Sequence, residues 1–510
     1  MCGSAHLDCF ARFAELVDAA GRWLEEIGRR ASFLICSDDY IYLWRGLRHG
    51  VVWSLLTVLL ALAATYIRMG VALVVTVAVA YAVGYAMYKS KRVEAVALPV
   101  LDVLQSVPIL GFFPLALYVF VTLFPVVGAE LAAVFLIFTS MAWNLIFGVY
   151  QSFKTLPREY VEYARLYLNE RLSLGHVYIP AALRSVYYNV LISWANAFFF
   201  ITASEVITLG TEVKLFGIGS LVVSAFESND YATAYVGIAA GVLANLALYV
   251  FVLRRLVEEV PQPPAYLLEK LAIWVKHGFY VVLGGVALFL ASAINYVSQS
   301  PISAPVLEDL WRGFVNSLLD SPHTFARVLT VLGISAALGL LTLAAVVKRP
   351  RLELGVLISL SILSSVPAVF LYPLLASFVK GEALALALLI PGSVVYTVFN
   401  LLAARRDVPL ELVKAYRIGG AVYYLHVLIP ASFPYLVTGL LTAWGGAWNA
   451  TVVAEPLADV AGLGSYMGSA AERGDVAGLL ASVLVMTSIV VAVNKTVWKK
   501  LYEAAARWRS

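Results

Sequence analysis

The feature that most limits what this chain can fold into is a succession of long apolar runs separated by short polar stretches. Runs of about 17 to 25 residues, the length a helix needs to cross hydrocarbon, fall near 50–67, 69–88, 104–124, 129–150, 184–209 and 233–253. A second set falls near 279–297, 325–347, 355–378, 382–403, 433–455 and 477–497. The 510 residues are 61% hydrophobic and 13% charged, more apolar surface than a water-soluble core conceals. Lipid accepts it where each crossing segment satisfies its own backbone, as a helix does. The pattern predicts an all-α polytopic membrane protein of about 12 transmembrane helices, arranged as two parallel six-helix repeats.

Basic residues test this topology, because Lys and Arg concentrate in cytoplasmic loops. The runs "KSKR" 89–92, "RR" 254–255, "KRPR" 348–351, "ARR" 404–406 and "KTVWKK" 495–500 all fall on one side when both termini are cytoplasmic. The expected location is the cell membrane, multi-pass. A net charge of +4, spread between apolar runs, excludes a nucleic-acid surface. Cys2, Cys9 and Cys36 match no metal spacing and receive no role.

Charged residues and "PQPP" (261–264) set a cytoplasmic linker at 254–278, dividing a first repeat, 49–253, from a second, 279–498. Before the repeats, 1–48 carries Leu7, Phe10, Phe13, Val17, Leu24 and Ile27 on one helical face, an amphipathic segment suited to the inner leaflet or to the protein's own cytoplasmic surface. After them, 499–510 is a basic tail.

Specific residues recur between the halves. "GHVYIPA" (175–181) is answered by "LHVLIPA" (425–431), so that His176 and Pro180 reappear 250 positions later as His426 and Pro430. "SVPILGFFP" (106–114) is answered by "SVPAVFLYP" (365–373), Trp194 by Trp444, Glu205 by Glu455, and "FGIGS" (216–220) by "AGLGS" (461–465). Five landmarks in constant order establish a duplication.

The polar segments "FKTLPREYVEYARLYLNERLSLGHVYIP" (153–180) and "ARRDVPLELVKAYRIGGAVYYLHVLIP" (404–430) each contain a proline suited to a first helical turn. Each ends at Ile-Pro, where the proline predicts a stiff break as the chain re-enters the membrane. "EYARLY" (162–167) and "VKAYRIGG" (413–420), each leading to "IPA", resemble the coupling loop of binding-protein-dependent ABC importer permeases, in which Glu-Ala-Ala is followed by Gly and then Leu-Pro. The flanking "SVP" stretches and "AWNATVVAEPLADVAGLGSYM" (447–467) are similar to the nitrate, sulfonate and taurine branch. The resemblance implies a permease whose two usually separate subunits are fused, with one ABC ATPase at each cytoplasmic loop and an extracytoplasmic solute-binding protein. It assigns the ATPase-coupling loops to Glu162, Tyr163, Ala164 and Pro180, and to Glu411, Lys414, Ala415, Gly419 and Pro430. Tyr163 stands where the pattern has alanine, and Val413 or Lys414 where it has glutamate. The chain contains no Gly-Lys dipeptide, hence no phosphate loop; this predicts no cofactor of its own, with ATP used by partner subunits.

Candidates for a translocation path or gate are Trp194, Glu205, Trp444, Trp448, Asn449 and Glu455, with Asn189 and Asn196 as further polar groups on the same helices. An ionised carboxylate in a membrane helix is functional by default. Glu205 and Glu455 have two open readings, support for the adjacent Gly-rich turns and gating. His176 and His426 read as polar anchors. An ion-coupled secondary transporter with duplicated halves is the alternative. A membrane enzyme lacks support, because the six histidines form no His-x-x-x-His pair.

Overall fold

The computed structural model describes residues 51–105, 108–124, 126–207, 215–299, 304–364, 366–409, 413 and 415–507. The amphipathic segment expected over 1–48, its three cysteines, Glu411 and Lys414 lie outside the described residues. Every regular element among those described is helical. Among the described residues, eight helices are long and apolar enough to cross a membrane, and a ninth, Glu170–Ile207, qualifies if its two arms, bent by 47°, form one span.

The first repeat runs through α1 (Val51–Lys89), α2 (Lys91–Gln105), α3 (Ile109–Leu123), α4 (Gly128–Lys154), α5 (Arg158–Tyr167), α6 (Glu170–Ser173), α7 (Ile179–Ile207), α8 (Ile218–Glu227), α9 (Tyr231–Leu248) and α10 (Arg254–Glu259). Then α11 (Ala265–Gln299) leads into the second: α12 (Ala304–Lys348), α13 (Leu352–Ser364), α14 (Ala368–Ala376), α15 (Glu382–Ala403), α16 (Gly420–Tyr423), α17 (Ile429–Ala458), α18 (Leu463–Glu472), α19 (Val476–Val493) and α20 (Lys499–Arg507).

Several expectations need correction. The runs 50–67 and 69–88 are one helix of 39 residues, because Arg68, the single residue between them, is 5% exposed and paired inside the protein. Once its charge is neutralised within the bundle, the helical ladder has no reason to stop there. The linker expected over 254–278 is helical except at 260–264, where prolines and a left-handed Val260 end α10. Ile-Pro is also no break. The chain passes through it as one turn of π-helix, Leu174–Tyr178 in one repeat and Tyr424–Leu428 in the other, with Ile179 N bonded to Leu174 O and Ile429 N to Tyr424 O. A proline clashes with the carbonyl four residues back, and the wider turn gives His176 and His426 carbonyls room.

The run 355–378, expected as one span, is broken at Ser-Val-Pro into two helices, and the chain is interrupted likewise before Ile109. Pro108 and Pro367 are extended at ψ 111° and 143°, separating α2 from α3 and α13 from α14, as expected of residues without an amide hydrogen. The freed short helices cross over reciprocally. Helix α3 packs on α17, α18 and α19 of the other half, and α14 packs on α7 and α8 of the first. Within each repeat, α1 packs on α4 and α4 on α7, mirrored by α12 on α15 and α15 on α17. One continuous apolar core joins the halves.

Candidate functional site

Each repeat buries an arginine between two glutamates. In the first, Arg68 reaches Glu130 with Nε at 2.5 Å and Nη2 at 2.7 Å, and Glu205 with Nη1 at 3.1 Å. In the second, Arg327 reaches Glu382 at 2.6 and 2.5 Å and Glu455 at 2.6 Å. Glu205 and Glu455 are 0% exposed. A carboxylate at that depth is tolerable only when paired and fully hydrogen-bonded, and the remaining partners are supplied locally. Thr65 and Thr324 donate to these carboxylates at 2.7 and 2.8 Å.

The same atoms hold α8 and α18. Gly219 N donates to Glu205 at 2.8 Å and Ile218 N to Thr65 Oγ1 at 3.0 Å; Gly464 N donates to Glu455 at 2.7 Å and Leu463 N to Thr324 Oγ1 at 2.8 Å. First-turn amides of a helix have no partner within it, and a carboxylate there also meets the positive end of the helix dipole. Arg68 and Arg327 complete the clasp by donating to the Phe216 and Ala461 carbonyls at 2.7 and 2.6 Å. Close approach requires glycine: a Cβ on Gly217 would lie 2.0 Å from Glu205 Oε1, and one on Gly462 2.4 Å from Glu455 Oε2.

Beside each cluster stands an aromatic triad. Tyr66 packs on Trp194 and Phe198 at 6.3 and 5.8 Å between ring centres, and Phe325 on Trp444 and Trp448 at 5.9 and 6.4 Å. The three tryptophans are buried, with Trp194 Nε1 bonded to Asn245 at 3.1 Å. Asn449 instead caps a helix. Its Oδ1 accepts from Leu110 N at 3.0 Å, at the start of α3 of the opposite repeat and just after the Pro108 interruption.

The polar segments expected to couple form two unlike elbows. In the first, α5 exposes Glu162, Tyr160, Tyr163, Leu166 and Tyr167, while Ala164 is buried and its carbonyl accepts from Ser173 Oγ at 3.1 Å. Glu170 then ties the elbow down, bonding Lys89, Lys276 at 2.7 Å and Tyr85 at 3.1 Å, while Arg171 pairs with Glu269 at 3.1 Å. Lys276 and Glu269 belong to α11, which packs along α1 and the first elbow. Position 420, the counterpart of Glu170, is a glycine in the left-handed region (φ 61°). In the second elbow Ala415, Tyr416 and Gly419 are exposed, and the turn uses Arg417 (φ 49°) and Gly420 rather than Gly419. Lys348 lies over the Tyr424 ring at 5.1 Å. Pro180 and Pro430 follow the π-turns and are half-buried. Lys89 and Lys348 thus bring the basic runs "KSKR" and "KRPR" beside the elbows, as the charge pattern predicts.

The residues that sequence reasoning missed are Arg68, Arg327, Glu130, Glu382 and the two threonines. A signal was available, since "TYIR" (65–68) and "TFAR" (324–327) recur at the spacing of the Ser-Val-Pro stretches.

The model of the binding-protein-dependent transport system inner membrane component family matches this chain twice, over 74–257 and 329–497. The chain belongs to this family. Both matches begin inside a long helix, α1 or α12, and end in the last helices of a repeat, so the duplicated unit of the fold is the family's permease domain. Similar relatives include the nitrate import permease protein NrtB of Leptolyngbya laminosa, 26% identical over 43% of this chain and 74% of that protein. The bicarbonate transport system permease protein CmpB of Synechococcus elongatus is 26% identical over 39% of this chain and 68% of its own length. No solved structure shows a significant match. This chain is a multi-pass membrane permease carrying two copies of the domain.

Proposed function

We propose that this chain is the complete fused membrane pathway of an ATP-driven importer, taking a small oxyanion from an external binding protein and powered by two ATPase subunits, one at each elbow. The observation that carries the reading is the duplicated permease domain with an elbow in each copy. The exposed Tyr160, Tyr163, Leu166 and Tyr167 of α5 are an apolar face of the kind that marks a protein contact. ATP hydrolysis is assigned to the partners, the elbows and the basic tail to the cytoplasm, and no cofactor to this chain; because α1 crosses once, its Val51 end lies on the side opposite the elbows, which corrects the expectation that both flanks of the first two runs are cytoplasmic. Relatives named for nitrate and bicarbonate supply the substrate class.

In this reading Glu205 and Glu455 support the short helices α8 and α18 instead of facing solute, so their charge does not repel an anion. Closure of the ATPases pushes the elbows together and rocks the halves about their pseudo-twofold axis, with α3 and α14 as the interlocked contacts. An ion-coupled transporter would need titratable groups free to change charge within the membrane, whereas both buried glutamates are held by arginine.

The test is reconstitution of the chain in proteoliposomes with the ATPase and binding protein from neighbouring genes. Nitrate or bicarbonate uptake should require ATP and the binding protein. Uptake driven by an ion gradient without ATP defeats the importer reading, and ATP-driven uptake of neutral solutes alone defeats the anion assignment.

A further inference from the structure

At the meeting of the repeats the pseudo-equivalent positions differ in chemistry. Glu130 and Glu382 align α4 with α15, which makes Asn144 the counterpart of Tyr396; Trp194 and Trp444 align α7 with α17, which makes Asn196 the counterpart of Gly446. The Tyr396 hydroxyl crosses from the second repeat to donate to Asn196 Oδ1 in the first. Three residues before Asn196 on the same helix, Ser193 Oγ accepts from Asn144 Nδ2 at 3.0 Å. Gly446 makes the crossing possible, because a Cβ there would lie 3.0 Å from Tyr396 Cε2.

We propose that Asn144, Ser193, Asn196 and Tyr396 form a neutral hydrogen-bonding site for a small oxyanion on the translocation path, with the Tyr396–Asn196 bond closing it. The proposal rests on the importer reading above. Three observations lead to it. Asn144 lies midway along α4, a 27-residue membrane helix, yet is exposed; an amide is costly against hydrocarbon, so the position is understandable if it faces a wet space between the halves. The arginines of the two buried clusters are each engaged by two carboxylates and a backbone carbonyl, which leaves them unsuited to hold a passing anion. Finally, Tyr396 joins the two moving halves, so rocking that separates them frees its O–H and the Asn196 amide together. Neutral donors also suit transit: a site must bind well enough to admit a solute and weakly enough to release it.

The experiment uses the full chain in proteoliposomes with its ATPase and binding protein, measuring nitrate and bicarbonate uptake beside ATP hydrolysis. Tyr396→Phe keeps the ring and removes the donor. Uptake of both anions should fall about tenfold, the factor for one lost hydrogen bond of ordinary strength, while hydrolysis stimulated by the loaded binding protein stays within about twofold. Asn196→Asp should abolish anion uptake in a complex that still assembles. Should Asn196→Asp fail to assemble, the isosteric Tyr396→Phe decides alone. Anion uptake within about twofold of wild type in Tyr396→Phe, or equal loss of uptake and hydrolysis, overturns the site. A wild-type chain that moves neither anion sinks the importer reading itself, and is thereby distinguished from failure of this site.

Discussion

Arg327 Nη1 lies 2.6 Å from Glu455 Oε1, and Arg68 Nη1 stands in the same relation to Glu205 at 3.1 Å, in the other copy of the domain. Each pair joins a long helix, α1 or α12, to the end of α7 or α17 and, through Gly219 N or Gly464 N, to the short helix that follows. Three separate pieces of chain are therefore held by one carboxylate.

Removing the arginine strands that carboxylate. Arg327→Met and Arg68→Met should each destabilise by about 3 to 5 kcal/mol, the usual result of breaking a buried pair from one side. Adding Glu455→Gln to Arg327→Met should recover part of the loss. Gel filtration and thermal unfolding in detergent measure it; a single variant as stable as wild type would show that the clasp is dispensable. Because the Glu382 side chain is 61% exposed and that of Glu130 27%, Glu382→Gln should cost under about 1 kcal/mol and less than Glu130→Gln.

Gly217→Ala and Gly462→Ala should be destabilising, because each new methyl collides with a locked carboxylate instead of the end of a mobile side chain. Gly445, inside α17, has nothing within 4 Å of a built Cβ, so Gly445→Ala should be neutral or stabilising by up to about 1 kcal/mol through helix propensity. Melting temperatures of the three variants, compared at equal detergent, test the contrast.

Glu170 pins the first elbow to α1 and α11, and its counterpart Gly420 cannot. Glu170→Gln should lower uptake per ATP hydrolysed by about two- to fivefold, the scale of partly exposed charge pairs, with the chain still inserted. Glu170→Lys combined with Lys276→Glu should restore part of that ratio. Equal ratios in wild type and Glu170→Gln would remove any role for the pin in coupling.

Substituting the two elbow alanines should give different failures. Ala164 is 2% exposed, so Ala164→Asp buries a charge and should disrupt α5 itself, lowering the yield of folded protein. Ala415 is exposed, so Ala415→Asp should leave stability within about 0.5 kcal/mol while weakening ATPase association. Pull-down of the partner ATPase, scored beside folded yield, separates the two.

Much of this arrangement is legible in the residues alone. Apolar run length requires membrane helices, the repeated "HVYIP" and "HVLIP" mark the elbows, and the recurring Ser-Val-Pro marks the duplication. Arg68 is the misleading residue: an arginine between two apolar runs looks like a boundary between spans until its partners are known. Its partners stand 62 and 137 positions away, and no local pattern reports such distances. The tryptophans mislead in a similar way, since an aromatic in a membrane helix reads alike whether it packs or lines a path.

The sequence by itself determined class and duplication, because those follow from local physics: hydrocarbon demands satisfied backbone, and copied residues remain comparable. Only the tertiary structure decided what each charge does. The free energy of a buried carboxylate depends on which groups the fold brings within about 3 Å, and that proximity is a property of packing among helices distant in the chain. Glu205 and Glu455 are accordingly each held by an arginine, a threonine and a helix amide, and the neutral groups at Tyr396 and Asn196 stand where the two halves meet.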